Sequence, residues 1–200
     1  MRVPFAEYVE KEIAADTVLI ACGLPATNKT ETTEVVARLK GHTILRTDLI
    51  RKEVLKGEDI FDEKVASNMD KRKMVYDKMF EKAHDLAEGN KGVIFDATFV
   101  SQSMRRRAAE VAAKNGKTFV IQQTRCSEAY SLNKISKRTK ENYESNALAP
   151  QAYYNNKEKF EEVDLADLKS RYPNLTIVHL VIETESDDED GWYVVDRIDR

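Results

Sequence analysis

Cysteine and histidine are scarce in this chain of 200 residues, which has two of the first, Cys22 and Cys126, and three of the second, at positions 42, 84 and 179. Both cysteines stand beside apolar segments, far from metal-type spacing, so neither a disulfide framework nor a zinc site is supported, and a reducing cytoplasm is the expected setting. The histidines share no spacing and are assigned to packing rather than chemistry. No uninterrupted apolar run approaches the roughly 18 residues a membrane span needs. The opening MRVPFAEYVEKEIAAD places Glu7, Glu10, Lys11 and Glu12 where a secretory leader requires an apolar stretch, so a soluble protein with no membrane partner is expected. A net charge of −3 gives no overall drive toward nucleic acid; only the basic groups at residues 105–107 and 134–140 offer a local anion surface. The eight tyrosines form no base-stacking platform.

What is present is a regular alternation. Short β-rich apolar runs at residues 17–22, 43–47, 92–96, 118–122 and 175–182 are separated by charged, helix-favouring stretches at 29–40, 48–56, 62–88, 101–115, 127–141 and 150–171, the last one broken. Phe5, Val9 and Ile13 recur every four residues and predict an N-terminal amphipathic helix within residues 1–16. Strands such as TVLIAC and GVIFDA lack the polar alternation of a half-exposed sheet, which suits parallel strands covered on both faces. The expected fold is a three-layer α/β/α sandwich with a parallel central sheet, in one domain over residues 1–200. Six acidic side chains between Glu183 and Asp190 mark a C-terminal extension over 183–200, read as a solvated loop followed by a short extra strand rather than as a partner-binding tail.

The segment TVLIACGLPATNKTETTEVVARLK runs from a buried strand through Gly23, a turn with Leu24, Pro25, Ala26, Thr27 and Asn28, and into a helix opened by Lys29 and Thr30. A triphosphate needs inward-pointing backbone N–H groups, a helix N-terminus, an ammonium near the β and γ phosphates and a hydroxyl for the metal. Residues 23–30 supply all four, with Lys29 as the ammonium and Thr30 as the Mg²⁺ ligand. ATP and Mg²⁺ are therefore the expected cofactors. Asn28 departs from the pattern G-x-x-x-x-G-K-[ST], standing where the second glycine belongs; its side chain either crowds the phosphates or offers them its amide. Asn tolerates a positive φ better than most residues, so the loop keeps its shape at a cost of about 1 kcal/mol. The plainer alternative is a strand, a Gly-Pro turn and a helix with a solvent-facing lysine.

Two further strands end in carboxylates. Asp48 follows the second strand with Arg51 one helical turn on, and Asp96 closes the third, followed by Ser101 as a helix N-cap and by Arg105 and Arg106. The carboxyl edge of an open α/β sheet is where ligands bind. There Asp48 would take the proton of an attacking hydroxyl while Arg51 holds the transferring phosphoryl group or an acceptor phosphate, and Asp96 would order magnesium waters or the acceptor. Capping of the next helix is the commoner use of an Asp in the position of Asp48.

Together, GLPATNKT, TDLIRKEVLKG and VIFDATFVSQSMRRRAAEVAAKNGK resemble the successive motifs of the predicted-kinase branch of P-loop proteins, which includes the zeta toxins and the kinase domain of phage polynucleotide kinase. The similarity runs over roughly residues 17–162. It implies that Asp48 is the base toward the acceptor hydroxyl, that Arg51 contacts phosphate, and that a lid-like segment at 127–145 carries a cation. Lys134 stands where the resemblance calls for arginine, and Arg138 retains the residue type; a lysine clamps with a point charge and without a planar fork.

The leading expectation is an ATP-dependent kinase acting on a hydroxyl of a small molecule. A degenerate loop that binds nucleotide without catalysis, as an interaction module, is one alternative. A polynucleotide 5′-hydroxyl kinase using residues 105–107 as phosphate contacts is the other. The acceptor itself carries no signature in the sequence, since residues 53–88 hold mostly helix-forming charges without a diagnostic motif.

Overall fold

The computed structural model describes residues 1–58, 60, 65, 68–139 and 147–200. Seven strands form one sheet: β1 (Val3–Pro4), β2 (Val18–Cys22), β3 (Thr43–Arg46), β4 (Val93–Asp96), β5 (Phe119–Arg125), β6 (Ile177–Glu183) and β7 (Tyr193–Asp199), in the spatial order β1-β7-β6-β5-β2-β4-β3. The five from β6 to β3 are parallel, as the unbroken apolar runs require. β7 pairs antiparallel with β6, and β1 antiparallel with β7, so the parallel core carries an antiparallel edge. The extra strand expected after the acidic loop is β7. The two-residue β1 gave no sequence signal.

Every residue of β2 is buried. Its alternate side chains face opposite ways: Val18, Ile20 and Cys22 join Phe95, Phe119, Ile121 and Ile177 in one core, while Leu19 joins Ile94, Val120, Leu180 and Ile182 in the other. The first core is covered by α4 (Met69–Ala87), α5 (Gln102–Lys114) and α8 (Leu165–Arg171), through residues such as Met79, Ala108 and Leu168. The second is covered by α1 (Phe5–Glu12) and α2 (Lys29–Lys40), through Phe5, Val9, Val35 and Val36. This is the three-layer sandwich. Among the described residues, no helix is long and apolar enough to cross a membrane.

α3 (Thr47–Val54), α6 (Glu128–Ser136) and α7 (Pro150–Lys159) complete the described helices. The last two are the halves of an upper wall: Ile135 of α6 and Tyr153 of α7 pack on Ala26, with Leu24 and Leu132 beside them, fastening that wall to the turn after β2. The expected helix at 150–171 is divided into α7 and α8, and part of the expected helix at 62–88, like residues 140–145 of the lid-like segment, lies outside the described residues. Ser101 occupies the N-cap position of α5 without capping it; Glu161 Oε2 accepts from Gln102 N at 2.6 Å instead.

Candidate active site

Gly23 follows β2 with φ 142°, and a Cβ there would stand 2.8 Å from both the carbonyl and the hydroxyl oxygen of Thr124, so no side chain fits. From this point the loop is laced to its neighbours. Thr27 Oγ1 donates to the carbonyl of Leu24 at 2.9 Å, shares a 2.7 Å hydrogen bond with the hydroxyl of Thr124, and the hydroxyl of Thr184 donates to Thr27 O at 3.0 Å. Ala26 and Asn28 both take left-handed backbone, at φ 61° and 56°. Left-handed residues in a turn that opens a helix curl successive N–H groups toward an anion.

Asn28 is the N-cap residue of α2, and its side chain is buried. The amide neither crowds the turn nor serves it. Nδ2 donates to the carbonyls of Thr184 at 2.7 Å and Ser186 at 3.0 Å, with Tyr130 Oη at 3.3 Å, and Oδ1 accepts from Lys134. Neither expectation for this side chain holds, because Thr184 and Ser186 of the acidic loop draw it to the far side. That loop is correspondingly more than a solvated connection: Thr184 is wholly buried, Asp187 accepts from Tyr130 Oη at 2.6 Å, and Glu189 pairs with Arg38 at 2.7 Å.

On the cleft side, Lys29 Nζ donates to the carbonyl of Leu24 at 2.5 Å. Burial lowers its pKa to about 8, with Asp96 opposing the shift and Arg138 adding to it. Thr30 Oγ1 donates to Asp96 Oδ2 at 2.9 Å, and Arg46 Nε lies 3.7 Å from the same oxygen. Burial pushes the Asp96 carboxyl up, while the Thr30 hydroxyl, Lys29 and Arg46 hold it down. A hydroxyl and a carboxylate in contact at a helix N-terminus form an oxygen-only donor set, which fits magnesium. Among the described residues no cluster of three or more His, Cys, Asp or Glu forms a protein-only metal cage.

Asp48 lies inside the first turn of α3, whose N-cap is Arg46, so it does not cap that helix; its Oδ1 accepts from Arg51 Nη1 at 3.3 Å. Pro25, Lys29, Thr30, Asp48, Arg51, Asp96 and Arg138 line one cleft of about 200 Å³ at the carboxyl edge of the sheet. The same cleft is lined by residues the sequence gave no reason to single out: Arg72 and Tyr76, one turn apart on α4, Thr98 after β4, and Asn156 of α7.

A family model described as an AAA domain matches residues 18–163. The chain belongs to that family, in its P-loop kinase-like branch. Solved structures share the fold at low identity. A gluconokinase from Sinorhizobium meliloti 1021 is 14% identical, with a TM-score of 0.58 over 87% of this chain and 86% of that one. A sugar kinase from Janibacter sp. HTCC2649 is 12% identical, with a TM-score of 0.56 over 85% and 86%. The AvrRxo1-ORF1:AvrRxo1-ORF2 complex with ATP is 15% identical, with a TM-score of 0.53 over 98% of this chain and 60% of that one. No curated protein is similar enough in sequence to be a relative.

In this P-loop kinase-like chain the two lid cations part company. Lys134 on α6 is held by Asn28 Oδ1 and, at 2.7 Å, by Glu31 Oε1. Arg138, two residues beyond α6, faces the cleft, where its charge acts on Lys29, and Nη1 donates to Ala147 O at 3.2 Å. The expected basic surface at 105–107 is divided between the interior and the surface. Arg105 is fully buried and donates to the carbonyls of Phe99, Val100, Glu161 and Glu162. Arg106 makes a two-point pair with Asp167 at 2.7 Å, and Arg107 pairs with Asp77 and stacks on Phe80. Arg105 is thus closed off from a polynucleotide, while Arg106 and Arg107 are engaged in surface pairs.

Proposed function

We propose that this chain is a phosphotransferase that binds ATP with magnesium across residues 23–30 and passes the γ-phosphoryl group to a hydroxyl of a small molecule. The observation that carries the reading is the meeting of Asp48, Arg51 and Arg138 with Lys29, Thr30 and Asp96 in one cleft, although four separate segments bring them there. ATP held in a solved complex of the same fold supports the choice of nucleotide.

The N–H groups of the turn and of the first turn of α2 receive the β phosphate, and Lys29 bridges toward the γ phosphate. Thr30 and Asp96 would hold magnesium, which neutralises the triphosphate oxygens. The acceptor oxygen attacks the γ phosphorus, its proton passes to Asp48, and the bond from that phosphorus to the β–γ bridging oxygen breaks to release ADP. Arg138, which lines the cleft, would offset charge in the transition state, and Arg51, beside Asp48, would serve the acceptor side.

Asp48→Asn tests the reading. Transfer to acceptor should fall by about 100-fold or more, the usual worth of a positioned base, while Mg-ATP affinity measured by calorimetry stays close to that of the native chain. Equal turnover by the variant removes Asp48 from the mechanism. Nucleotide binding without transfer is the second reading, favoured by the diversion of Lys134 to Glu31 and Asn28. Mg-ATP binding with no phosphorylated product from any acceptor would support it.

A further inference from the structure

The cleft holds more positive charge on its acceptor side than the nucleotide uses. With the turn after β2, Lys29 and Arg138 assigned to the phosphates, Arg51 and Arg72 remain, and Asp48 is the carboxylate beside them. The Arg51 side chain is only 12% exposed, and among the described residues its polar contact is a single-point bond of 3.3 Å to Asp48. A guanidinium carries five N–H donors, and Arg51, lining the cleft, can turn several of them to a two-point ligand. Arg72, on α4, pairs with no carboxylate among the described residues and lines the same cleft. Tyr76, one turn along α4, and Thr98 line the cleft with both guanidiniums, so Arg51 and Arg72 border one space.

Asp48 does not answer this charge during the reaction. When it takes the acceptor's proton it becomes neutral, and Arg51 loses the charge of the carboxylate it donates to. A neutral polyol offers them lone pairs but no compensation, whereas a carboxylate or phosphate meets a guanidinium through charge-assisted, two-point bonds. Resting on the phosphotransfer reading above, we infer that the acceptor is an anionic alcohol, whose carboxylate or phosphate is held by Arg51 and Arg72 while its hydroxyl sits at Asp48.

The test is ATP-dependent phosphorylation of matched acceptors sharing a carbon skeleton: glycerol, glycerate and glycerol phosphate, then glucose, gluconate and glucose 6-phosphate, with Mg-ATP affinity measured on the same preparations. An anionic member should exceed its neutral counterpart in kcat/KM by about 10-fold or more, the equivalent of one charge-assisted contact near 1.4 kcal/mol. Comparison of the carboxylate and phosphate members identifies the anion. Arg72→Gln should erase that preference through KM, and Arg72→Lys should restore part of it, since charge returns without the fork. Neutral members used as well as anionic ones, or no effect of Arg72→Gln, would overturn the inference. So would Mg-ATP binding with no anionic member phosphorylated, which leaves the nucleotide site standing. Failure to bind Mg-ATP at all overturns the phosphotransfer reading and the acceptor class with it.

Discussion

Replacing Asn28 with the glycine of the common pattern should weaken this protein rather than repair it. In its left-handed conformation Asn28 carries a backbone cost of about 1 kcal/mol that glycine would remove. Against that stand the two amide bonds to the carbonyls of Thr184 and Ser186 and the bond received from Lys134. Each amide bond contributes about 1 kcal/mol net, and a buried acceptor left empty adds about 1 kcal/mol or more; Thr184 is wholly buried. Lys134 keeps Glu31, so its loss is partial. The balance is a destabilisation of about 2 kcal/mol, or a fall in Tm of about 4–8 °C for a chain of this size. Calorimetric or denaturant unfolding reads it. Asn28→Asp keeps the size of the side chain but sets a carboxylate against two carbonyls, so it should be worse than glycine. Mg-ATP affinity should not improve in Asn28→Gly, because the amide is already held by Thr184, Ser186 and Lys134. An Asn28→Gly chain as stable as the native one, or an Asn28→Asp chain more stable than Asn28→Gly, would refute the reasoning.

Two further outcomes follow from buried charge. Because burial lowers Lys29 to about 8, a triphosphate that needs its ammonium should draw about half a proton onto the protein when it binds at pH 8. Calorimetry in buffers of different ionisation enthalpy measures this uptake, which should vanish in Lys29→Met. The sign for the free protein is the opposite of a salt-bridged lysine: its depressed pKa makes the charged form unfavourable in the fold, and this penalty is relieved as pH rises from about 8 toward the ordinary 10.5. Arg105→Met should cost about 3–5 kcal/mol in unfolding free energy, since it strips the donor from four backbone carbonyls at once, whereas Arg107→Gln, on the surface, should cost under about 1 kcal/mol. Urea melts of the two variants side by side check the contrast.

The phosphate loop was legible because its parts are local: Gly23, Lys29 and Thr30 lie within one strand-turn-helix, and their chemistry depends on spacing along the chain. Asp48 and Asp96 were legible because a carboxylate ending an apolar run must fall at the sheet's edge. What the sequence hid depends on distance along the chain. Asn28 meets Thr184 across 156 residues, and nothing local to either announces the other. Arg72 and Tyr76 sit in a charged helix like many others; only the position of that helix over the cleft gives them a role. The run of three arginines misled for a simpler reason. Successive residues on a helix point about 100° apart, so residues 105–107 were never able to share a face, and Arg105 turns inward while Arg107 turns out.

The antiparallel edge of the sheet has a bearing on solubility. β1 pairs with Tyr193 and Val194 of β7 and the Met1 amine reaches Val195 O, while among the described residues no strand pairs with the outer side of residues 196–199. An open edge invites the strand of another molecule. Here Asp196, Arg197 and Asp199 occupy that stretch, with Arg197 tied to Glu12 and Asp199, and Pro4 ends the short β1 without an amide hydrogen to offer. A second chain docking there would have to desolvate these charges, so the edge that completes the fold also discourages aggregation, and neutralising Asp196 and Arg197 together should raise the tendency to form fibres at high concentration.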